Sequence, residues 1–170
     1  MTRLTRRKIL KLGAGAGALT ATGTLPLSAF ADTDQLVQRK IPSSGETVPI
    51  IGLGTNRYGV GDDAAAREPL LASLARFAEL GGTLVDTAPS YRSSEIVLGE
   101  LISTLGIRDQ LFIATKIDKE TMHESEAQMR ASLDRLQVER VDLMQIHNLR
   151  GWQDNIRLLR AWKESEQTRY

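Results

Sequence analysis

The chain has 170 residues, with 22 basic against 21 acidic side chains for a formal charge of +1, two histidines and no cysteine; 41% of it is hydrophobic and 25% charged. The lack of cysteine excludes a disulfide framework, a thiolate metal site and a cysteine nucleophile. The near-neutral total excludes a strongly basic nucleic-acid binder, and the aliphatic content excludes wholesale disorder.

The charge is unevenly placed. Five basic residues (Arg3, Arg6, Arg7, Lys8 and Lys11) precede Asp32 with no acidic residue among them, which leaves 17 basic against 21 acidic residues, a net −4, in the rest. The Arg6-Arg7 pair precedes a mildly apolar run from Leu12 to Leu27, diluted by glycine and threonine, that leads to Ala29-Phe30-Ala31. This small-x-small ending is what a signal peptidase reads. The segment resembles a twin-arginine export signal, an address read by the export machinery, with Ile9 where such signals more often carry Phe. Residues 1–31 are thus expected to be a cleaved signal, with cleavage near Ala31, and residues 32–170 a periplasmic or otherwise extracytoplasmic domain. The apolar run is too short and too rich in glycine to make a stable span of a ~30 Å hydrocarbon core. Gly13, Gly15 and Gly17 follow a basic stretch, not a strand, and so do not form a dinucleotide loop.

Residues 39–48 suggest a hairpin turning at Ser44-Gly45. Pro49 to Thr55 is an apolar run closed by glycine and reads as a buried strand. Pro69 suits the first turn of a helix carrying Leu70, Leu74 and Phe77, which Gly81-Gly82 closes. Thr83-Leu84-Val85 reads as a strand ending at Asp86. Ser93 or Ser94 is expected to cap a helix bearing Ile96, Val97, Leu101 and Leu105, ended by Gly106. Leu111 to Thr115 predicts a strand ending at Lys116. Thr121 and Glu124 have the spacing of a capping box before a helix lined by Met129, Leu133 and Leu136. Val141 to Ile146 predicts a strand ending at His147, and Trp152, Ile156, Leu159 and Lys163 mark a last helix.

Asp86 to Lys116 is 30 residues and Lys116 to His147 is 31. A strand-then-helix repeat of that length implies parallel strands joined by helical crossovers. Ligands bind at the carboxyl ends of such strands. Taken singly, Asp86 reads as a turn residue before Ala88-Pro89, Lys116 as a solvated loop lysine, His147 as a structural histidine, and Tyr91 as uninformative. Their shared phase points an acid, a base and an imidazole at one rim, with a tyrosine five residues after the acid.

The segments Ile51-Gly52-Leu53-Gly54-Thr55, Val85-Asp86-Thr87-Ala88-Pro89-Ser90-Tyr91, Ser94-Glu95, Ala114-Thr115-Lys116 and Val141 to Asn148 resemble the aldo/keto reductase family. The resemblance implies an α/β fold, a (β/α)8 TIM barrel opened by a short hairpin, of which the first four βα units are legible here. It implies reduction of a small carbonyl substrate, an aldehyde or ketone, with NADPH or NADH. It also implies that the catalytic Asp-Tyr-Lys-His tetrad falls on Asp86, Tyr91, Lys116 and His147, and that Gly54, Thr55 and Asn56 lie near the nicotinamide. Arg92 stands where the family commonly has glycine after the tyrosine. Residues 161–170 resemble the approach to a fifth strand. The sequence is therefore read as the amino-terminal half of a barrel, expected to be weak or inactive alone, with open sheet edges that favour self-association.

The chemistry suits these residue types. A hydride reaching a carbonyl carbon leaves charge on oxygen that must be protonated. Tyr91 is the expected acid, Lys116 the cation that stabilises its phenolate, Asp86 the anchor of that lysine, and His147 the donor to the carbonyl oxygen. Two readings from other classes stay open: a lyase forming a Schiff base on Lys116, and a non-catalytic remnant that binds a partner. No metal site is expected, since His123 and His147 lie in different units with no acidic cluster between them.

Overall fold

The computed structural model describes residues 36–170. The predicted export signal lies outside the described residues. Strands β1 (Gln38–Lys40) and β2 (Thr47–Pro49) pair antiparallel, with Arg39 opposite Val48. Ile41 N donates to Glu46 O at 2.7 Å, and Gly45 turns the chain with φ +77°, a left-handed conformation that glycine adopts without steric cost. The predicted hairpin is present, turning where expected.

Four βα units follow: β3 (Leu53–Gly54), α1 (Ala64–Glu79), β4 (Leu84–Asp86), α2 (Ser94–Leu105), β5 (Phe112–Ile117), α3 (Met122–Leu136), β6 (Leu143–Ile146) and α4 (Trp152–Glu164). The strands form one parallel sheet in the order β3-β4-β5-β6. Thr168 bridges in parallel to Val141, and Tyr170 N donates to Asp142 O at 2.8 Å beside β6. This sheet, helix by helix, is the parallel arrangement the thirty-residue repeat predicts.

Several local expectations are corrected. The strand read from Pro49 to Thr55 contracts to Leu53–Gly54, and Ile50 and Ile51 are 52% and 65% exposed. Ile50 instead follows the hairpin, donating its N–H to Val37 O. Helix α1 begins well before Pro69, because Asp63 accepts from Ala65 N and Ala66 N at 3.0 and 3.2 Å and three alanines follow it. Pro69 is therefore inside the helix and removes one intrahelical donor. Neither serine caps α2 through its side chain. Ser93 Oγ accepts from Gly61 N at 2.9 Å, and Ser94 Oγ donates to Thr55 O just after β3. Helix α4 buries Asn155, Leu158 and Trp162, whereas Trp152 is exposed.

Thr121 does cap α3, its Oγ1 accepting from Glu124 N at 3.3 Å. The Glu124 carboxylate bonds the same hydroxyl at 2.7 Å, not the cap N–H of a full capping box. Gly106 closes α2 with φ +63°, as expected.

The core lies between the sheet and the helices on its outer face. Val85, Ile113, Ile117 and Met144 meet Leu74, Val97, Leu98, Met129, Leu136, Leu158 and Trp162. Helices α2 and α3 touch at backbone level at Gly99, where a Cβ would lie 2.5 Å from Arg135 O. Any side chain at that position would drive the two helices apart. Asp142, also buried, accepts from Ile113 N at 2.8 Å and from Arg169 Nη1 at 2.9 Å. Its carboxylate thus stands in for a ladder carbonyl at the start of β6.

The hairpin is tied to the end of the described chain. Arg169 Nη2 and the Tyr170 hydroxyl both donate to Glu46 Oε2, the latter at 2.6 Å. The hydrogen bond from Arg169, then that from Tyr170, holds the Glu46 carboxyl below its ordinary 4.5. A depressed carboxyl stabilises the fold above its unfolded value and loses that contribution as pH falls through the folded value. Because the pair is partly exposed, the contribution is about 1 kcal/mol or less. Glu46→Gln is expected to remove that part of the acid-side loss of stability, read from urea midpoints as pH falls below 4.5. An unchanged pH dependence would show that the tie contributes nothing to stability.

Candidate active site

The register brings the sequence-selected residues to one end of the sheet. Gly54 lies opposite Asp86, Asp86 opposite Ala114, and Lys116 opposite Gln145. The side chain of Lys116 is 12% exposed and that of Asp86 34%. Lys116 Nζ donates to Asp86 Oδ2 at 2.6 Å and to Thr87 O at 2.8 Å. Two such acceptors hold the lysine nitrogen in one place.

That nitrogen sits 5.1 Å from the centroid of the Tyr91 ring. His147, directly after β6, opens a turn in which Asn148 and Leu149 take left-handed backbone (φ +54° and +57°), and it meets Tyr91 edge-on, with centroids 6.1 Å apart and planes at 87°. Its Nδ1 lies 3.3 Å from Ser90 Oγ. All four residues chosen from the sequence therefore converge, with the Lys116 nitrogen and the His147 imidazole both beside the Tyr91 ring. His123 is exposed in the first turn of α3. Among the described residues, no group of three or more His, Cys, Asp or Glu is placed to hold a metal ion.

The loop after β3 divides into different roles. Gly54 faces open space, with nothing within 4 Å of where its Cβ would lie. That bare backbone beside Asp86 leaves room for a flat ring. Asn56 is exposed nearby. Thr55 is fully buried, and its Oγ1 donates to Asp86 O at 3.0 Å. Ser94 Oγ then bonds Thr55 O at 2.8 Å and lies 3.2 Å from Thr87 Oγ1. These three hydroxyls tie the loops behind the rim.

A second buried cluster supports β5 from the outer side. Glu95, 1% exposed, accepts from Thr115 Oγ1 at 2.6 Å, Ser132 Oγ at 3.2 Å and Arg135 Nε at 2.7 Å. Thr115 precedes Lys116, so this cluster fixes the strand that delivers the ammonium. Glu95 and Gln145 join the site only through the fold. The available signal was a polar side chain at a position where strand or helix spacing calls for an apolar one.

Arg92 adopts φ +56°. Its left-handed backbone explains why a glycine would suit this position, since a Cβ there costs about 1–2 kcal/mol. The side chain is exposed, so little contact is lost on its removal. Arg92→Gly is expected to stabilise the fold by about 1 kcal/mol and raise the melting temperature by roughly 3–5 °C. A lower melting temperature would mean that the arginine side chain makes contacts worth more than the strain.

Residues 50–168 match the aldo/keto reductase family. An aldo-keto reductase of Mycolicibacterium vanbaalenii is 38% identical over 110 residues, covering 63% of this chain and 37% of its own. The methylglyoxal reductase YeaE of Escherichia coli is 35% identical over 115 residues, covering 65% and 39%. The chain thus spans well under half the length of these relatives. Among solved structures, an aldo-keto reductase from Klebsiella pneumoniae in complex with NADPH superposes with a TM-score of 0.67 at 27% identity, over 79% of this chain and 48% of its own. The sheet and its helices are therefore part of that barrel architecture, and the chain belongs to the aldo/keto reductase family.

Proposed function

We propose that this site reduces an aldehyde or ketone to the alcohol, with NADPH, or NADH, as the cofactor. The observation that carries the reading is the Asp86–Lys116 pair at 2.6 Å set beneath the Tyr91 ring at 5.1 Å. The bound nicotinamide would supply the hydride. Gly54 and Asn56 would flank it, the former because its bare backbone lets a planar ring approach. Thr55 supports it from behind through its bonds to Asp86 and Ser94.

The protein's own groups do the rest. Tyr91 gives its phenolic proton to the carbonyl oxygen as charge develops there. Lys116 stabilises the phenolate left behind, and Asp86 keeps the ammonium charged and aligned. His147 orients the carbonyl and shares the developing charge by hydrogen bonding. The lyase alternative needs the Lys116 nitrogen free to attack a carbonyl carbon, and the Asp86 and Thr87 oxygens at 2.6 and 2.8 Å hold it. The reading supports an enzyme acting after export, on the strength of the Arg6-Arg7 pair and the Ala29-Phe30-Ala31 ending.

The test is oxidation of NADPH by the purified chain with methylglyoxal, the substrate in the name of one relative, together with simple aldehydes. Borohydride trapping serves as the control. A covalent adduct on Lys116 without cofactor oxidation would replace this reading with the lyase.

A further inference from the structure

Asp86 is held from two strands, not one. Its Oδ2 accepts from Lys116 on β5, and its Oδ1 accepts from Gln145 Nε2 on β6 at 3.1 Å. The amide can face only one way here, because turning its oxygen toward Asp86 would oppose two acceptors. Gln145 is also the direct register neighbour of Lys116 and stands two residues before His147. It interrupts an otherwise apolar stretch, with Leu143, Met144 and Ile146 around it.

We propose that Gln145 is a positioning residue for the reductase reading, on which this inference rests. It acts by locking the Asp86 carboxylate so that Lys116 stays beneath Tyr91. A carboxylate bonded through one oxygen can swing about its terminal torsion, and the ammonium attached to it would follow. Bonding the second oxygen to a neighbouring strand removes that freedom. Three consecutive strands are thereby cross-braced at the rim: Asp86 from β4, Lys116 from β5 and Gln145 from β6. Water can replace the lost donor at Asp86, which is a third exposed, so the fold survives removal of the amide. Water does not fix the direction of the carboxylate.

The test compares wild type, Gln145→Leu and Gln145→Glu in the full chain. The chain has six lysines, so the Lys116 ammonium can be assigned in protein labelled with 15N-lysine by its loss in Lys116→Met. In Gln145→Leu the ammonium protons are expected to exchange several-fold faster with water, at an unchanged melting temperature. Turnover is expected to fall about ten- to a hundredfold with little change in KM, as for a small displacement of a catalytic group. In Gln145→Glu the two carboxylates repel near neutrality. Turnover should recover as pH falls toward the carboxylate range, where a protonated Glu again donates to Asp86. A filler of space would not produce that pH profile.

Unchanged ammonium exchange in Gln145→Leu would overturn the proposal, as would faster exchange with unaltered turnover. A borohydride-trapped adduct on Lys116 without cofactor oxidation would instead overturn the reductase reading, and the ammonium signal would still decide whether Gln145 locks Asp86.

Discussion

Replacing Tyr91 by phenylalanine is expected to lower carbonyl turnover about 10²–10⁴-fold, the range for removing a positioned general acid. KM should change little. The ring, which lies edge-on to His147 with centroids 6.1 Å apart and 5.1 Å from the Lys116 nitrogen, is retained. Only the proton donor is lost. The hydride can still be offered, but the oxygen it charges must then find a proton in water, without the ammonium's help. The measurement is the loss of reduced-nicotinamide absorbance at saturating aldehyde, in the wild type and the variant prepared together. A loss smaller than tenfold would assign the proton to another group, His147 being the nearest candidate.

The second large effect is on stability. Arg135→Leu is expected to destabilise the fold by about 3 kcal/mol, lowering the melting temperature by roughly 10 °C. Glu95 is 1% exposed and Arg135 30%, and their ion pair measures 2.7 Å. Removing the guanidinium leaves the carboxylate out of water with two hydroxyl donors, Thr115 and Ser132, and no countercharge. Breaking such a pair from one side costs far more than the intact pair contributes, because a lone charge remains buried. Double replacement by Glu95→Gln with Arg135→Leu should recover much of the loss. If the single variant melts like the wild type, the pair is solvated enough to be dispensable.

The site was legible in the sequence to an unusual degree for a chemical reason. A polar residue ending an apolar strand is costly unless it has a partner or a task, and three such residues shared one period of about thirty. The parallel sheet then converts equal spacing along the chain into proximity in space. The residues behind the rim were less legible. Gln145 and Glu95 lie within elements where apolar spacing sets the expectation, and their partners are 59 and 40 positions away. Nothing local to either residue names Asp86 or Arg135.

Element ends were misread where a competing partner was out of view. Pro69 suggested a helix start because its ring fits a first turn, yet the Asp63 cap and three alanines set the start earlier. Ser93 and Ser94 carry the composition of a cap, and the loops after β3 claim both hydroxyls. Trp152 suited the apolar side of α4 by spacing. The buried side follows Asn155, whose amide donates to Lys119 O at 2.7 Å and Arg150 O at 3.1 Å, joining two rim loops.

The lack of cysteine excludes thiolate chemistry. The charge of +1 is the sum of +5 before Asp32 and −4 in the rest of the chain. Sequence alone determined the strand-helix repeat, the family resemblance and the identity of the four rim residues, because these depend on spacing along one chain. Only the tertiary structure decided that Lys116 is shared between Asp86 and Thr87, that Gln145 takes the other carboxylate oxygen, and that Glu95 is neutralised by Arg135. Those choices depend on which donors fold within about 3 Å of each acceptor, and that is a property of packing between strands, not of any stretch of sequence.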